Sequence, residues 1–110
     1  DAPFPDERYR AGPRRFPMLV PITTDDPERE INEAAWKVLE GWQKPFLTLW
    51  GTQCPFTFMN RGRLYRTRIP GASLPGIEHK VYGAGHYIQE DFGPEIAADM
   101  IAFIEAFPVP

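Results

Sequence analysis

The sequence predicts an α/β architecture, in which short buried strands alternate with helices. Apolar residues recur at helical spacing in two segments and more sparsely in a third. Between these segments lie two short, almost continuous apolar runs, which are typical of strands buried on both faces of a parallel sheet. The resulting order is helix, strand, helix, strand, helix, as in a sheet whose parallel strands are joined by helical crossovers.

The composition fits one globular domain. The chain has 110 residues, of which 43% are hydrophobic and 25% charged, so it is too apolar for a disordered segment. The formal charge of −3 gives no reason to expect nucleic acid or a membrane surface as a partner. No apolar run approaches the ~20 residues of a membrane span, so we expect a soluble, cytoplasmic protein. A single cysteine and two histidines form no zinc signature, and no metal is expected.

The first segment, residues 1–24, is rich in Pro, Arg and aromatic residues and is largely irregular. A short helix is predicted around Arg14 to Leu19, started by Pro13 in its first turn. The chain opens without Met in a proline-rich stretch, so we expect the natural start to lie upstream of Asp1.

A helix is predicted over about 27–42. Asp26 can cap it, Pro27 can occupy its first turn, and Glu28 and Glu30 suit the positive end of its dipole. Its apolar stripe consists of Ile31, Ala34, Ala35, Val38, Leu39 and Trp42.

The strands are predicted at 46–50 and 77–82, and a weaker helix, interrupted by Gly62, at about 57–69. The arginines of this helix are expected in solvent; they are Arg61, Arg63, Arg66 and Arg68. A final helix should begin near Pro94. Its apolar face consists of Ile96, Ala97, Met100, Ile101, Ile104 and Phe107. Two strands alone would leave edges and faces uncovered, so further strands are expected from outside this sequence.

The loops that follow the two strands carry the candidate chemistry, because active sites of open α/β sheets form beyond the carboxyl ends of the strands. His86 follows a strand and the turn 83–85 and precedes the last helix, where an α/β hydrolase places its base. Position alone fits a structural or solvated histidine equally well. Cys54 lies in the other loop and could be a nucleophile paired with His86. A cysteine nucleophile of this fold would instead be expected on the strained elbow before a helix.

Several segments resemble haloalkane dehalogenases, in sequence and in order. They are residues 1–7, Phe16-Pro17, residues 44–47 and residues 83–91. The opening and the His86 loop together favour dehalogenases over epoxide hydrolases, the near alternative. The resemblance implies that residues 1–24 form the exit of a helical cap and that residues 25–110 form the C-terminal part of an α/β-hydrolase main domain.

The resemblance also implies a reaction. An upstream aspartate attacks the carbon that bears the halogen and forms an alkyl-enzyme ester, and His86 activates the water that hydrolyses it, without cofactor or metal. The substrate would be a small halogenated alkane. The expected pocket lining, for which ordinary core is an equal reading, is Phe16, Pro17, Val20, Phe56 and Tyr87.

The sequence departs from the family pattern at residue 54. The family usually has an aspartate there, which orients the histidine and stabilises imidazolium. A thiol, with a reference pKa of about 8.5, is normally neutral near pH 7. We therefore expect impaired activity, none from the chain alone, and keep open a non-catalytic remnant or interaction module. Glu90 and Asp91 are expected to cap the last helix.

Overall fold

A computed structural model of the chain describes residues 3–54 and 60–108, with the side chains of Asn60 and Arg61 left aside. The chain forms two compact units, Asp1–Val38 and Leu39–Pro110. The helices are α1 Ala11–Arg15, α2 Glu28–Glu40, α3 Asn60–Arg68, α4 Ile88–Asp91 and α5 Gly93–Ala106. The strands are β1 Leu49–Gly51 and β2 Lys80–Tyr82. In the described part of the chain, every helix is too short or too polar to cross a membrane.

The first unit begins with a helical stretch that starts earlier than predicted. A 3₁₀ helix over Glu7–Arg10 leads into α1, and a second 3₁₀ helix follows over Phe16–Leu19. The side chain of Asp6 accepts a hydrogen bond from the N–H of Arg8 at 2.9 Å, which caps the first turn. The predicted helix from Arg14 to Leu19 is therefore wrong at its start.

The helix predicted at 27–42 is confirmed as α2, with shorter ends. Asp26 Oδ1 accepts a hydrogen bond from the N–H of Glu28 at 3.1 Å, so the predicted cap is confirmed. The helix ends at Glu40, and Trp42 lies outside it. The carbonyl of Trp42 accepts a bond from the N–H of Gly71 at 2.8 Å, and this contact draws the chain away from the helix axis.

The two strands pair in parallel, and each is shorter than predicted. Trp50 pairs with Val81 at the centre of the register. The N–H of Thr48 donates to Nδ1 of His79 at 3.1 Å instead of to a neighbouring strand. Because the imidazole takes this donor, the regular ladder begins one residue later.

Helices pack against both faces of this small sheet, although Val81, the partner of Trp50 on one face, stays 56% exposed. On one face, Tyr82 packs against Phe92 with ring centroids 5.5 Å apart, and its hydroxyl donates to Asp99 of α5 at 2.7 Å. On the other face, Trp50 contacts Tyr65 of α3 at 5.8 Å between centroids. The described part of the second unit is therefore a layer of α3, the sheet, and a layer of α4 and α5.

Two predictions about the helices are corrected by this packing. The sheet-facing side of α5 includes Asp99, because the buried hydroxyl of Tyr82 needs an acceptor. Three residues of the predicted apolar face are instead exposed, namely Met100, Ile101 and Ile104. Residues Glu90 and Asp91 lie inside α4, and the N-cap residue of α5 is Phe92, so the predicted cap is wrong.

The helix predicted at 57–69 is confirmed as α3 from Asn60 onward, and its first predicted residues lie outside the described ones. Gly62 does not interrupt it. A methyl group at Gly62 would come within 2.7 Å of the Trp50 indole, so the glycine lets the helix approach the sheet. The guanidinium Nε of Arg66 is buried rather than in solvent.

Candidate active site

The candidate site lies where β1 and β2 end, at the same edge of the sheet. Gly51, the last residue of β1, is buried and has no room for a side chain. A methyl group there would come within 2.5 Å of the carbonyl oxygen of Gly85 and 2.6 Å of that of Ala84. The glycine therefore allows the loop after β2 to pass directly over the end of β1.

Two main-chain hydrogen bonds continue the strand pairing into these loops. The N–H of Thr52 donates to the carbonyl of Tyr82, and the N–H of Gln53 donates to the carbonyl of Ala84, both at 2.9 Å. The two loops are thus held side by side beyond the last paired residues. The next residue along the first loop is Cys54.

Cys54 and His86 are in direct contact. The thiol Sγ lies 3.1 Å from Nδ1 of the imidazole, within hydrogen-bonding distance for sulfur. Cys54 is only 2% exposed, whereas the histidine is exposed. The sulfur therefore approaches the imidazole from the protein interior, and the ring reaches the surface.

The geometry of this pair resembles that of an orienting acid, but the chemistry differs. In the serine-protease triad the acid contacts Nδ1 of the histidine, and Nε2 acts as the base. A carboxylate only accepts hydrogen bonds and so fixes the imidazole proton on Nδ1. A thiol both donates and accepts weakly, so the Cys54 contact is compatible with either neutral tautomer of His86.

The predicted lining residues differ in where they lie and in what they contact. Tyr87 is 60% exposed and makes an edge-to-face contact with the His86 ring, with centroids 5.0 Å apart. Phe16, Pro17 and Val20 belong to the first compact unit, and all three are exposed. Phe56 lies outside the described residues. Their assignment to a substrate pocket stays a prediction.

The sequence analysis missed two residues that shape this region. Gly51 could have been noticed, because a glycine at the end of an apolar strand is often a point of close backbone approach. His79 gave no signal beyond its place before a strand, yet it bonds to Thr48 through Nδ1 and to the carbonyl of Ala72 through Nε2–H, at 2.8 Å. Within the described ranges, no group of three or more His, Cys, Asp or Glu side chains could hold a metal ion.

A histidine and its partner at the carboxyl ends of parallel strands, between helical layers, are features of α/β hydrolases. Several curated relatives of this chain are named haloalkane dehalogenase. Those from Mycobacterium marinum and Psychrobacter cryohalolentis are 48% and 44% identical to it, over 94% and 98% of the chain. A protein of Mycobacterium tuberculosis named haloalkane dehalogenase 1 is 46% identical over 96% of the chain.

The chain is thus a homologue of the haloalkane dehalogenases and matches their C-terminal part. It spans about a third of the length of these relatives, 34% for the Mycobacterium marinum protein and 35% for that of Psychrobacter cryohalolentis. No protein-family model matches the chain.

Proposed function

We propose that the chain is the C-terminal part of a haloalkane dehalogenase and that His86 is the base of its ester-hydrolysis step. The observation that carries the proposal is the contact of Cys54 Sγ with His86 Nδ1 at 3.1 Å, in the place of an orienting acid. In this proposal residues 25–110 contribute the last two strands and flanking helices of the main domain, and residues 1–24 are the exit of its cap. The aspartate nucleophile and most halide-binding groups belong to the upstream part of the same fold.

The proposed substrate is a small halogenated alkane. The upstream carboxylate attacks the carbon, the carbon–halogen bond breaks with its electron pair leaving on the halide, and an alkyl ester remains on the enzyme. Nε2 of His86 then takes a proton from water as the water oxygen attacks the ester carbonyl. The products are an alcohol, a halide ion and a proton, and no cofactor takes part.

The thiol of Cys54 makes ester hydrolysis the slower of the two steps. It brings neither a permanent negative charge to stabilise imidazolium nor a preference for the tautomer in which Nε2 is the acceptor. In serine proteases, neutralising the orienting aspartate costs about 10⁴ in turnover. The first step needs no base, because the attacking carboxylate is already ionised. Ester hydrolysis should therefore limit turnover.

Three alternatives are separated by particular observations. The names of the curated relatives favour a dehalogenase over an epoxide hydrolase. The short distance between Cys54 and His86 also fits a thiol nucleophile, but a sulfur in a residue that is 2% exposed is closed to an incoming electrophile. A non-catalytic remnant is favoured by the loss of the acid and is tested by turnover itself.

The decisive experiment is a hybrid in which this chain replaces the C-terminal third of the Mycobacterium marinum relative. The parent hybrid should release halide from bromoalkanes and accumulate alkyl-enzyme, detected by mass. His86→Gln should give a burst of halide without turnover, whereas Gln89→Ala, an exposed change in α4, should behave as the parent.

Other outcomes count against the proposal. A parent hybrid that folds but releases no halide favours the remnant. Turnover by His86→Gln at the parent rate removes the histidine from the mechanism. Halide release by the isolated chain, for which we expect none, that disappears in Cys54→Ser would make the thiol the nucleophile.

A further inference from the structure

A second candidate site lies between α5 and the start of β2, whereas His86 follows the end of that strand. It is an open cavity of about 290 Å³. Its apolar lining consists of Leu47, Ala102, Phe103, Ala106 and Phe107, and all of these residues belong to the second compact unit. A mostly apolar cavity of about 300 Å³ or more, with a few polar groups, is the usual form of a site for a small molecule.

Two side chains of opposite charge lie close together in this lining without a direct hydrogen bond. Lys80 Nζ is 4.0 Å from Asp99 Oδ1, which is too far for one. The ammonium already donates to Glu78 at 2.9 Å, and Asp99 Oδ2 accepts the hydroxyl of Tyr82 at 2.7 Å. The side chains of Lys80 and Asp99 line the cavity and stay 38% and 28% exposed. Further N–H donors of the ammonium and Asp99 Oδ1 are therefore available to a molecule in the cavity.

The gap between these two groups selects an occupant that both accepts and donates. The hydrogen bond to Glu78, with the charges of Glu78 and Asp99, raises the pKa of Lys80, so its ammonium stays protonated and only donates. An ionised carboxylate only accepts. One oxygen atom about 2.8 Å from each group would bridge the 4.0 Å gap. A hydroxyl fits, because its oxygen accepts from the ammonium while its hydrogen is donated to Asp99.

The apolar lining and the volume define the rest of the occupant. A water molecule in the liquid occupies about 30 Å³, so a cavity of about 290 Å³ admits an alkyl chain of up to about eight carbons with its hydroxyl. The rings of Phe103 and Phe107, with centroids 5.3 Å apart, offer such a chain an apolar surface. We propose that this cavity binds a short aliphatic alcohol whose hydroxyl bridges Lys80 and Asp99. The site is independent of the function proposed for His86.

Charged ligands of the same length fit this site less well than an alcohol. A carboxylate would meet the negative charges of Glu78 and Asp99, and it has no hydrogen to donate to Asp99 Oδ1. An alkylammonium would meet the positive charge of Lys80, and it cannot accept a hydrogen bond from that group. A single water molecule could bridge the gap, but it would leave the apolar lining in contact with solvent. An alcohol alone satisfies both charged groups and covers the apolar lining.

The test is a titration of the chain with ¹³C-labelled alanine methyl groups, followed by the signals of Ala102 and Ala106. Ala34 and Ala35 of α2, in the other compact unit, are internal references. The ligands are 1-butanol, butylammonium, butyrate and diethyl ether, an isomer of butanol whose oxygen only accepts. They are added in separate arms at constant ionic strength. We expect saturable shifts with 1-butanol and binding weaker by about tenfold or more for the other three, because each lacks one of the two bonds to charged groups.

Matched variants test the assignment. Lys80→Met removes the donor but keeps the apolar stem and should weaken 1-butanol binding by about tenfold or more, whereas Lys44→Met, at an exposed position, should change it by less than about twofold. Ala102→Leu should fill the cavity and abolish the shift of Ala106, whereas Ala97→Leu, outside the lining, should not. No saturable shift with 1-butanol, equal binding of diethyl ether, tighter binding of butylammonium, or shifts unchanged in Lys80→Met or Ala102→Leu would overturn the site.

Discussion

The two histidines of the chain flank β2, and they differ in burial and in their hydrogen-bond partners. His79 precedes the strand and is half-buried, with Nδ1 accepting the N–H of Thr48 at 3.1 Å and Nε2–H donating to the carbonyl of Ala72 at 2.8 Å. His86 follows the strand, is exposed, and contacts the Cys54 thiol through Nδ1. His79 bonds to two main-chain groups, and the Thr48 hydroxyl also lies 3.0 Å from its Nδ1, whereas His86 contacts the side chains of Cys54 and Tyr87.

This difference separates a histidine with a structural role from the one that we propose as the base. The bonds of His79 require a neutral ring with its proton on Nε2, so protonation would break the bond from Thr48. In the proposed mechanism, Nε2 of His86 takes the proton from water while Nδ1 keeps its contact with the Cys54 sulfur. The proposed base lies at the carboxyl end of the strand, where ligand sites of open α/β sheets form.

The largest expected effect is on the rate of ester hydrolysis, and it tests the role proposed for His86. In the hybrid, Cys54→Asp should place a carboxylate beside His86 Nδ1, fix the proton there and stabilise imidazolium. Ester hydrolysis should then accelerate about tenfold or more, out of a possible range of about 10⁴. The alkylation step should change far less. Pre-steady-state halide release and the mass of trapped alkyl-enzyme measure the two steps separately.

The control for this gain is Gln53→Asp, which adds the same charge one residue earlier, at an exposed position. It should leave ester hydrolysis within about twofold of the parent, because an exposed charge is screened by solvent. If the parent already deacylates quickly and Cys54→Asp changes nothing, another carboxylate orients His86.

The second prediction tests the structural role of His79. His79→Ala should lower the free energy of unfolding by about 1–3 kcal/mol, because it leaves the N–H of the buried Thr48 without an acceptor. His86→Ala, at an exposed position, should change it by about 0.5 kcal/mol or less. Urea unfolding measures both. Equal losses in the two variants would remove the distinction between the histidines.

The role of His79 also explains why the strand ends could not be predicted from sequence. Apolar runs at 46–50 and 77–82 identified both strands and their parallel pairing, because a buried strand needs apolar residues on both faces. They could not reveal that Thr48 gives its N–H to an imidazole. That contact joins residues 31 positions apart and has no local pattern.

The helix predictions also succeeded where they depended on neighbouring residues and failed where they depended on contacts distant in sequence. The cap at Asp26 and the start of α5 near Pro94 are confirmed, since capping depends on neighbouring residues alone. The side of α5 that faces the sheet was misjudged, because Asp99 turns inward to accept the buried hydroxyl of Tyr82. At the candidate site, the loops of Cys54 and His86 followed from strand order, whereas the close approach at Gly51 is a tertiary contact.

The third prediction disturbs the loop that holds His86. Gly51→Ala should destabilise the chain by about 1–3 kcal/mol, because the new methyl group would overlap the carbonyl oxygens of Ala84 and Gly85. Gly83→Ala, where an added methyl group meets nothing within 4 Å, is the matched control and should be nearly neutral. Urea unfolding of the two variants measures the difference. Equal stabilities would show that the two loops separate easily at this edge.

The smallest expected effect concerns the hydrogen bond from Tyr82 of β2 to Asp99 of α5. Burial and the bond to Asp99 raise the pKa of Tyr82 from 10.0 to about 12. Because the folded state favours the protonated phenol, the stability that Tyr82 contributes is present below about pH 10 and is lost as the pH rises toward 12. Tyr82→Phe should be less stable than the parent by about 1 kcal/mol near pH 8, and this difference should narrow above about pH 10. Tyr87→Phe, at an exposed tyrosine, should follow the parent in urea unfolding throughout. Parallel curves for the parent and Tyr82→Phe up to about pH 11 would show that the hydroxyl does not titrate with unfolding.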